Sequence, residues 1–192
     1  MMKPLDYLTQ TSAESTAIRE QFLQTHAEKL VQASQLIAQC LKRSGKVLIC
    51  GNGGSAADAQ HMAAEMVGRM LLERRALPAI ALTTDTSNLT AIGNDYGYEH
   101  VFSRQVQALG RKGDVLIAMS TSGRSKNIVM AMQAARSAGI STIGLTGIHP
   151  RDMGELADVS LKVPSSHTPQ IQEGHLVLGH LLCGMVEKQL LS

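Results

Sequence analysis

Residues 47–56 read VLICGNGGSA, an apolar run that passes directly into a glycine-rich turn. Four consecutive apolar residues are typical of a strand that is buried on both faces of a sheet. The glycines that follow allow the backbone to turn tightly, and a helix is predicted from about Ala56 to Leu72. A strand, a glycine-rich turn and a helix in this order predict the first unit of a parallel α/β sheet.

The same alternation continues along the chain. Four more apolar strands are predicted at residues 79–82, 115–119, 142–145 and 159–163. Further helices are predicted at about residues 100–109, 126–138 and 170–190. Residues 15–41 contain no Gly or Pro, and their apolar positions recur three and four apart, which predicts one or two amphipathic helices. The predicted fold is therefore α/β, a doubly wound five-stranded parallel sheet flanked by helices, with an N-terminal helical region.

The length of 192 residues suits one domain with a full core and is short for two. No internal repeat or linker divides the chain, so we expect a single domain over residues 1–192. Residues 1–44 form its N-terminal helical region and residues 45–192 its α/β core. Aromatic residues make up only 3% of the chain, so the core is expected to be aliphatic.

Charge and composition limit the classes of partner. The net charge of +2 is small and its basic residues are scattered, so no nucleic-acid partner is expected. Neither a secretory h-region nor an apolar stretch of roughly 18 to 20 residues is found, which predicts a cytoplasmic protein without a membrane span. Cys40, Cys50 and Cys183 share no metal-ligand spacing and are predicted to be buried, reduced thiols.

Two strand-to-helix turns are candidate binding loops. In Gly51-Asn52-Gly53-Gly54-Ser55, the glycines permit close approach of a ligand to a helix N-terminus, which attracts anions. The turn also fits a dinucleotide fingerprint, but Asp85 lies too far along the chain for the usual ribose ligand. A nucleotide-binding oxidoreductase is thus kept as an alternative.

The second turn is Ser120-Thr121-Ser122-Gly123-Arg124-Ser125, with four hydroxyls at the start of a helix. Capping a helix needs one of them, whereas several hydroxyls with free N–H groups can hold a phosphate. A plain capped loop is the alternative. Both turns are expected at the carboxyl ends of parallel strands, where open α/β sheets bind ligands.

His61 and Glu65 are four residues apart on the first predicted helix, so both side chains lie on one face. Imidazole and carboxylate together can bind a divalent metal ion. An ordinary polar pair on a helix surface explains the same spacing.

The Ser-Thr-Ser-Gly-x-Ser turn after an apolar strand resembles the phosphate loop of sugar isomerase (SIS) domains. With residues 50–61, Gly93-Asn94-Asp95-Tyr96 and Ile171-Gln172-Glu173-Gly174-His175, the chain resembles the phosphoheptose isomerase family from about Gly45 onward. The resemblance implies a flavodoxin-like SIS fold. It also implies an aldose–ketose isomerase that converts sedoheptulose 7-phosphate to D-glycero-D-manno-heptose 7-phosphate for lipopolysaccharide heptose.

The resemblance further implies a zinc enzyme whose ligands are His61, Glu65, Gln172 and His180. Spacing alone makes His175 a better neighbour for Gln172, since eight helical residues turn His180 roughly 80° away. His175 and His167 are left as structural or peripheral. The substrate-binding set implied by the resemblance is Asn52, Gly53, Gly54, Ser55, Glu65, Asn94, Asp95, Ser120, Thr121, Ser122, Ser125 and Gln172. For Asn94 and Asp95, composition favours a simple turn pair.

The implied reaction needs a base near carbon and an acid near oxygen. Our hypothesis is that Glu65 takes the C1 proton, His180 serves the oxygens, and Gln172 holds the enediol and the metal ion. The family also implies a homotetramer with sites near subunit interfaces. A non-catalytic SIS protein, such as a phosphosugar-binding or replication-initiator-associating protein, is the alternative. The chain departs from the family at His149-Pro150-Arg151-Asp152, where a glycine-rich stretch is expected.

Overall fold

The computed structural model describes residues 2–191, so Met1 and Ser192, the ends of the predicted domain, lie outside the described residues. Its strands are β1 (Val47–Cys50), β2 (Ala79–Ala81), β3 (Val115–Ser120), β4 (Ser141–Thr146) and β5 (Val159–Lys162). They form one parallel sheet in the order β2-β1-β3-β4-β5. All residues of β1 and β3 are buried, as their uninterrupted apolar sequence requires. The prediction of a doubly wound five-stranded sheet is confirmed.

Seven α-helices surround the sheet within the described residues. They are α1 (Pro4–Lys42), α2 (Gly54–Val67), α3 (Thr86–Tyr96), α4 (Ser103–Leu109), α5 (Lys126–Ser137), α6 (Arg151–Leu156) and α7 (Thr168–Leu191). A 3-10 turn covers Tyr98–His100. The prediction of a helix to Leu72 was wrong at its end, because α2 stops before Gly68. The helices α3 and α6 were not predicted from the sequence.

The helices cover the two faces of the sheet as two layers. In β1, Val47 and Ile49 pack with the buried residues of α1, α2 and α7. The alternate residues, Leu48 and Cys50, pack with those of α4, α5 and α6. Helices α2 and α7 therefore lie side by side on one face, and this arrangement places the candidate metal ligands together.

A buried ion pair joins the amino ends of β1 and β3. The ammonium group of Lys46 contacts Asp114, whose carboxylate also accepts hydrogen bonds from the backbone N–H groups of Lys46, at 2.9 Å, and Arg111, at 2.8 Å. Burial alone would raise the pKa of Asp114, but these bonds lower it below its ordinary value. The pair lies at the edge of the sheet opposite to the two candidate loops.

Helix α1 is a single helix of 39 residues, and its two halves differ in burial. Its buried residues begin at Phe22 and continue to Leu41. Leu5, Tyr7 and Leu8 are 71%, 64% and 65% exposed in this single chain. An open groove of about 570 Å³ runs between this amino-terminal half of α1 and α7.

Among the described residues, none of the helices combines the length and the hydropathy that a bilayer crossing requires. Cys40, Cys50 and Cys183 are buried and unbonded to one another, which confirms the prediction of buried free thiols. Burial raises the pKa of the Cys50 thiol to about 12, so this thiol remains protonated at neutral pH.

Candidate active site

The two predicted binding loops lie side by side. Strands β1 and β3 are neighbours, with Cys50 paired to Ala118, so the turns that follow them share the carboxyl edge of the sheet. The side-chain amides of Asn52 and Asn127 exchange two hydrogen bonds of 2.9 Å each. This reciprocal pair joins the glycine-rich turn to the first turn of α5.

The glycines of the first turn allow close contacts that a side chain would prevent. Gly53 has a positive φ of 56°, which favours glycine. A Cβ atom at Gly51 would lie 2.5 Å from the backbone carbonyl oxygen of Ser55, and one at Gly54 would overlap the side-chain amide of Gln172. The turn is therefore folded tightly at the start of α2, with Gln172 of α7 lying directly against it.

The second turn gathers hydroxyl groups at the start of α5. The Oγ atom of Ser120 lies 2.8 Å from that of Ser125 and 3.3 Å from that of Ser122. Ser125 is the N-cap residue of α5, but its side chain makes no capping hydrogen bond. Since capping does not use these hydroxyls, they and the helix N-terminus form an environment suited to a phosphate. Thr121 is half-buried in the same turn, and its backbone carbonyl accepts a hydrogen bond from Gly147.

A His–Glu–His cluster lies between α2 and α7. The Nε2 atoms of His61 and His180 are 3.0 Å apart, and they lie 3.3 Å and 3.5 Å from Oε1 of Glu65. The other carboxylate oxygen of Glu65, Oε2, is buried without a well-formed hydrogen bond, and the Cys183 thiol lies against the same carboxylate. One donor atom from each residue lies within 4.8 Å of the others. Two imidazole nitrogens and a carboxylate oxygen at this spacing fit a divalent metal ion.

The structure also answers which histidine of α7 faces α2. His180 is half-exposed and belongs to the cluster, whereas His175 is fully buried in the interior. Burial lowers the pKa of His175 to about 4, so this residue is neutral at pH 7. His167 is exposed before α7 and lies outside the cluster.

Not every predicted site residue is brought to this edge within the single chain. Asn94 and Asp95 are exposed near the end of α3, and the Asn94 amide donates to the Asp95 carboxylate at 2.8 Å. They belong to the last turn of a helix rather than to the isolated turn that composition favoured. Their contact with substrate stays a prediction.

Sequence reasoning missed two residues of this edge, Asn127 and Tyr98. Asn127 is buried and pairs with Asn52, and the hydroxyl of Tyr98 donates to Oδ1 of the same Asn52 at 3.3 Å. A polar residue in the first turn of a helix that follows a hydroxyl-rich loop was the available indication for Asn127. Asp85, considered for a dinucleotide site, instead accepts the N–H of Asn88 as the N-cap of α3.

A parallel sheet with two candidate anion-binding turns at one edge is the architecture expected of the SIS domain class, and the family model described as SIS domain matches residues 12–147. A phosphoheptose isomerase of Rhodospirillum rubrum is 57% identical over 166 residues, which is 86% of this chain and 88% of that relative. The chain belongs to the phosphoheptose isomerase family.

Solved structures agree with this assignment. A phosphoheptose isomerase structure from Neisseria gonorrhoeae matches with a TM-score of 0.92 and 47% identity, covering 97% of this chain and all of that one. One from Francisella tularensis matches with a TM-score of 0.94 and 36% identity over the same shares. The predictions of the SIS fold and of the family are confirmed.

Proposed function

We propose that this chain is an aldose–ketose isomerase that converts D-sedoheptulose 7-phosphate to D-glycero-D-manno-heptose 7-phosphate through an enediol. The single observation that carries the proposal is the His61–Glu65–His180 cluster on α2 and α7, two helices that begin at the same carboxyl edge of the sheet as the hydroxyl-rich turn. A phosphate-binding turn and a set of proton-transferring groups are the two requirements of this reaction. The relatives' common name, phosphoheptose isomerase, supports the choice of substrate.

Substrate binding is assigned to the two joined turns. The hydroxyls of Ser120, Thr121, Ser122 and Ser125, with the N-terminus of α5, would hold the phosphate of the sugar. Asn52, Gly53, Gly54 and Ser55 would contact its hydroxyls, and Asn94 and Asp95 would complete the site. The Asn52–Asn127 pair supports this assignment, because it fixes the distance between the turn at the sugar and the turn at the phosphate.

Proton transfer is assigned to Glu65 and His180. The Glu65 carboxylate removes the proton from C1 of the ketose, and the electrons of that bond form the enediolate. The proton returns at C2, while His180 moves a proton between the two oxygens, so the atoms of ketose and aldose balance. Oε1 of Glu65 lies within 3.5 Å of Nε2 of both His61 and His180, so the proposed base and the proposed acid lie side by side.

We assign His61, Glu65, Gln172 and His180 as the ligands of one zinc ion. When bound, a divalent ion would polarise the carbonyl group and stabilise the negative charge of the enediolate. The donor set of the cluster supports this assignment for His61, Glu65 and His180. Gln172 is on α7 with His180, and its side-chain amide lies against Gly54 at the start of α2.

The remaining assignments follow from the family. We propose a cytoplasmic homotetramer that is a single domain, with residues 1–44 as its helical region and residues 45–192 as its α/β core. The product would feed nucleotide-activated heptose for the lipopolysaccharide core. A non-catalytic phosphosugar-binding role is not favoured, because binding a phosphate needs no His–Glu–His cluster.

The test is turnover of sedoheptulose 7-phosphate by the purified protein, with and without a chelator, and by the Glu65→Gln variant. We expect this variant to lose activity by roughly 100-fold or more, the usual contribution of a general base, while it still binds substrate in calorimetry. Glu155→Gln is the matched control, since Glu155 is exposed on α6 at the other face of the sheet. Normal turnover by the Glu65 variant would remove the proposed mechanism.

A further inference from the structure

A second buried ion pair, Arg74 with Glu187, lies beyond the candidate metal site. The Nε atom of Arg74 donates to Oε1 of Glu187 at 3.0 Å, and the two side chains are only 3% and 1% exposed. Arg74 is in the segment after α2, and Glu187 is in α7. The pair therefore connects the end of one ligand-bearing helix to the body of the other.

Each partner also bonds to backbone groups at this junction. The guanidinium of Arg74 donates to the carbonyl oxygens of Glu65 at 2.7 Å, Met66 at 2.9 Å and Gly68 at 3.1 Å. These carbonyls lie at the carboxyl end of α2, where a helix leaves such groups without internal partners and where positive charge is favoured.

The Glu187 carboxylate accepts the backbone N–H groups of the segment that follows α2. These donors are Met70 at 2.9 Å, Leu71 at 3.0 Å and Leu72 at 3.1 Å. Only the planar, forked guanidinium of arginine can reach several carbonyls and a carboxylate at once. The pair therefore fixes the chain path after Val67 onto α7.

This junction lies next to the candidate metal ligands on both helices. His61 and Glu65 belong to α2, and Glu187 follows His180 by seven residues, or about 10 Å along α7. Arg74 holds the backbone of Glu65 itself. At the other end of the helix pair, Gln172 lies against Gly54. The cluster is thus held between two contacts, of which the ion pair is the more strongly bonded.

We infer that Arg74 and Glu187 are positioning residues that hold α2 and α7 at the separation that metal binding requires. A contribution to stability alone does not explain the presence of this ion pair, because replacing a buried ion pair with well-packed apolar residues is often neutral or stabilising. Ligand sets, by contrast, need side chains held within about 0.5 Å of their working positions. The inference rests on the proposed metal site.

The experiment compares Glu187→Gln with Asp114→Asn. Both changes turn a buried carboxylate that accepts backbone N–H groups and one cationic side chain into an amide of nearly the same shape. Only Glu187 lies on a ligand-bearing helix, since Asp114 is at the opposite edge of the sheet. Zinc affinity is measured by competition with a coloured chelator, at a temperature well below the thermal unfolding midpoint of each variant. The kcat and KM values are measured under the same conditions.

We expect Glu187→Gln to weaken zinc binding by about tenfold, the lower end of the loss found when groups that orient metal ligands are replaced, because Glu187 acts on the ligands only through Arg74 and the backbone of α2. Its kcat should fall, while KM for sedoheptulose 7-phosphate stays within about threefold. Asp114→Asn should lower the unfolding midpoint but leave zinc affinity within about twofold of the parent. Arg74→Lys keeps the charge without the fork, so it should also lose zinc affinity.

Equal zinc affinity in the parent and the Glu187 variant would overturn the inference while leaving the metal site in place. An equal loss in the Asp114 variant would also overturn it, because general destabilisation would then explain the effect. If Glu187→Gln does not fold, the Arg74→Lys variant provides the test. Zinc affinity equal to that of the parent in this variant would refute the role proposed for the Arg74 guanidinium. A parent protein that binds no zinc would remove the metal site and the inference together.

Discussion

His175 makes the stability of the folded protein depend on pH, and its replacement by leucine tests this. Above pH 6.5 the residue is neutral in both the folded and the unfolded state and has no effect. Below pH 6.5 the unfolded chain takes up a proton that the buried ring resists until about pH 4. Stability is therefore lost as the pH falls through this window.

The magnitude follows from the two pKa values. One tenfold change in a dissociation constant corresponds to about 1.4 kcal/mol, so a folded-state pKa of about 4 against the ordinary 6.5 costs about 3 kcal/mol below both values. Neither ring nitrogen of His175 makes a well-formed hydrogen bond, although the backbone of Thr146 lies close to the ring. Leucine of similar volume should therefore change stability at pH 7 by less than about 1.5 kcal/mol.

The assay is urea unfolding of the parent and His175→Leu at pH 7 and at pH 4.5. On acidification, the free energy of unfolding of the parent should fall by about 2 to 3 kcal/mol more than that of the variant. The ionised carboxylates, such as Asp114 and Glu187, titrate alike in both proteins and cancel in the difference. The variant should also keep zinc and turnover, because His175 lies outside the cluster. Equal losses of stability on acidification in the two proteins would refute the reasoning on burial, and a loss of zinc binding in the variant would contradict the placement of His175 outside the metal site.

Two further substitutions test the turns. Gly54→Ala places a methyl group in the space of the Gln172 amide, so zinc affinity and kcat should fall, as measured by chelator competition and initial rates; unchanged values would show that Gln172 does not act from this position. Asn127→Ala removes both hydrogen bonds between Asn127 and the half-buried amide of Asn52 and leaves only the weaker one from Tyr98, so unfolding should become easier by about 1 to 3 kcal/mol. Substrate KM should rise as the turns separate; a normal KM would mean that the pair does not set their spacing.

The sheet was the part of the fold most fully predicted from the sequence. A parallel strand covered by helices on both faces must be apolar at nearly every position, so runs such as Val47–Cys50 and Val115–Met119 are visible without any tertiary information. The carboxyl-edge location of both turns followed from the same pattern. Their direct connection did not, because a pair such as Asn52 with Asn127 joins residues that are far apart in sequence.

Helix α3 shows why other parts escaped prediction. None of its residues is fully buried in the single chain, and its apolar pattern is limited to Leu89 and Ile92, which pack partly against the core; this is too short a pattern to predict a helix. Its beginning was visible only as the N-cap Asp85, which had been considered for a different role. Spacing alone favoured His175 over His180 as the neighbour of Gln172, whereas the structure places His180 in the cluster. The orientation of α7 depends on its packing against α1 and α2, and the sequence of α7 alone does not contain this information.

Two features that the single chain leaves unexplained have the same explanation in the proposed tetramer. The first half of α1 exposes Leu5, Tyr7 and Leu8 beside an open groove, although burying such side chains is normally favourable. Helix α3 exposes Asn94 and Asp95, two residues that the family resemblance assigns to the substrate. If neighbouring subunits cover both surfaces, the apolar half of α1 is buried and α3 is brought beside a substrate. Assembly and catalysis would then depend on each other, because the candidate metal cluster and the hydroxyl-rich turn form within one subunit, whereas α3 would reach a substrate only in a neighbouring subunit.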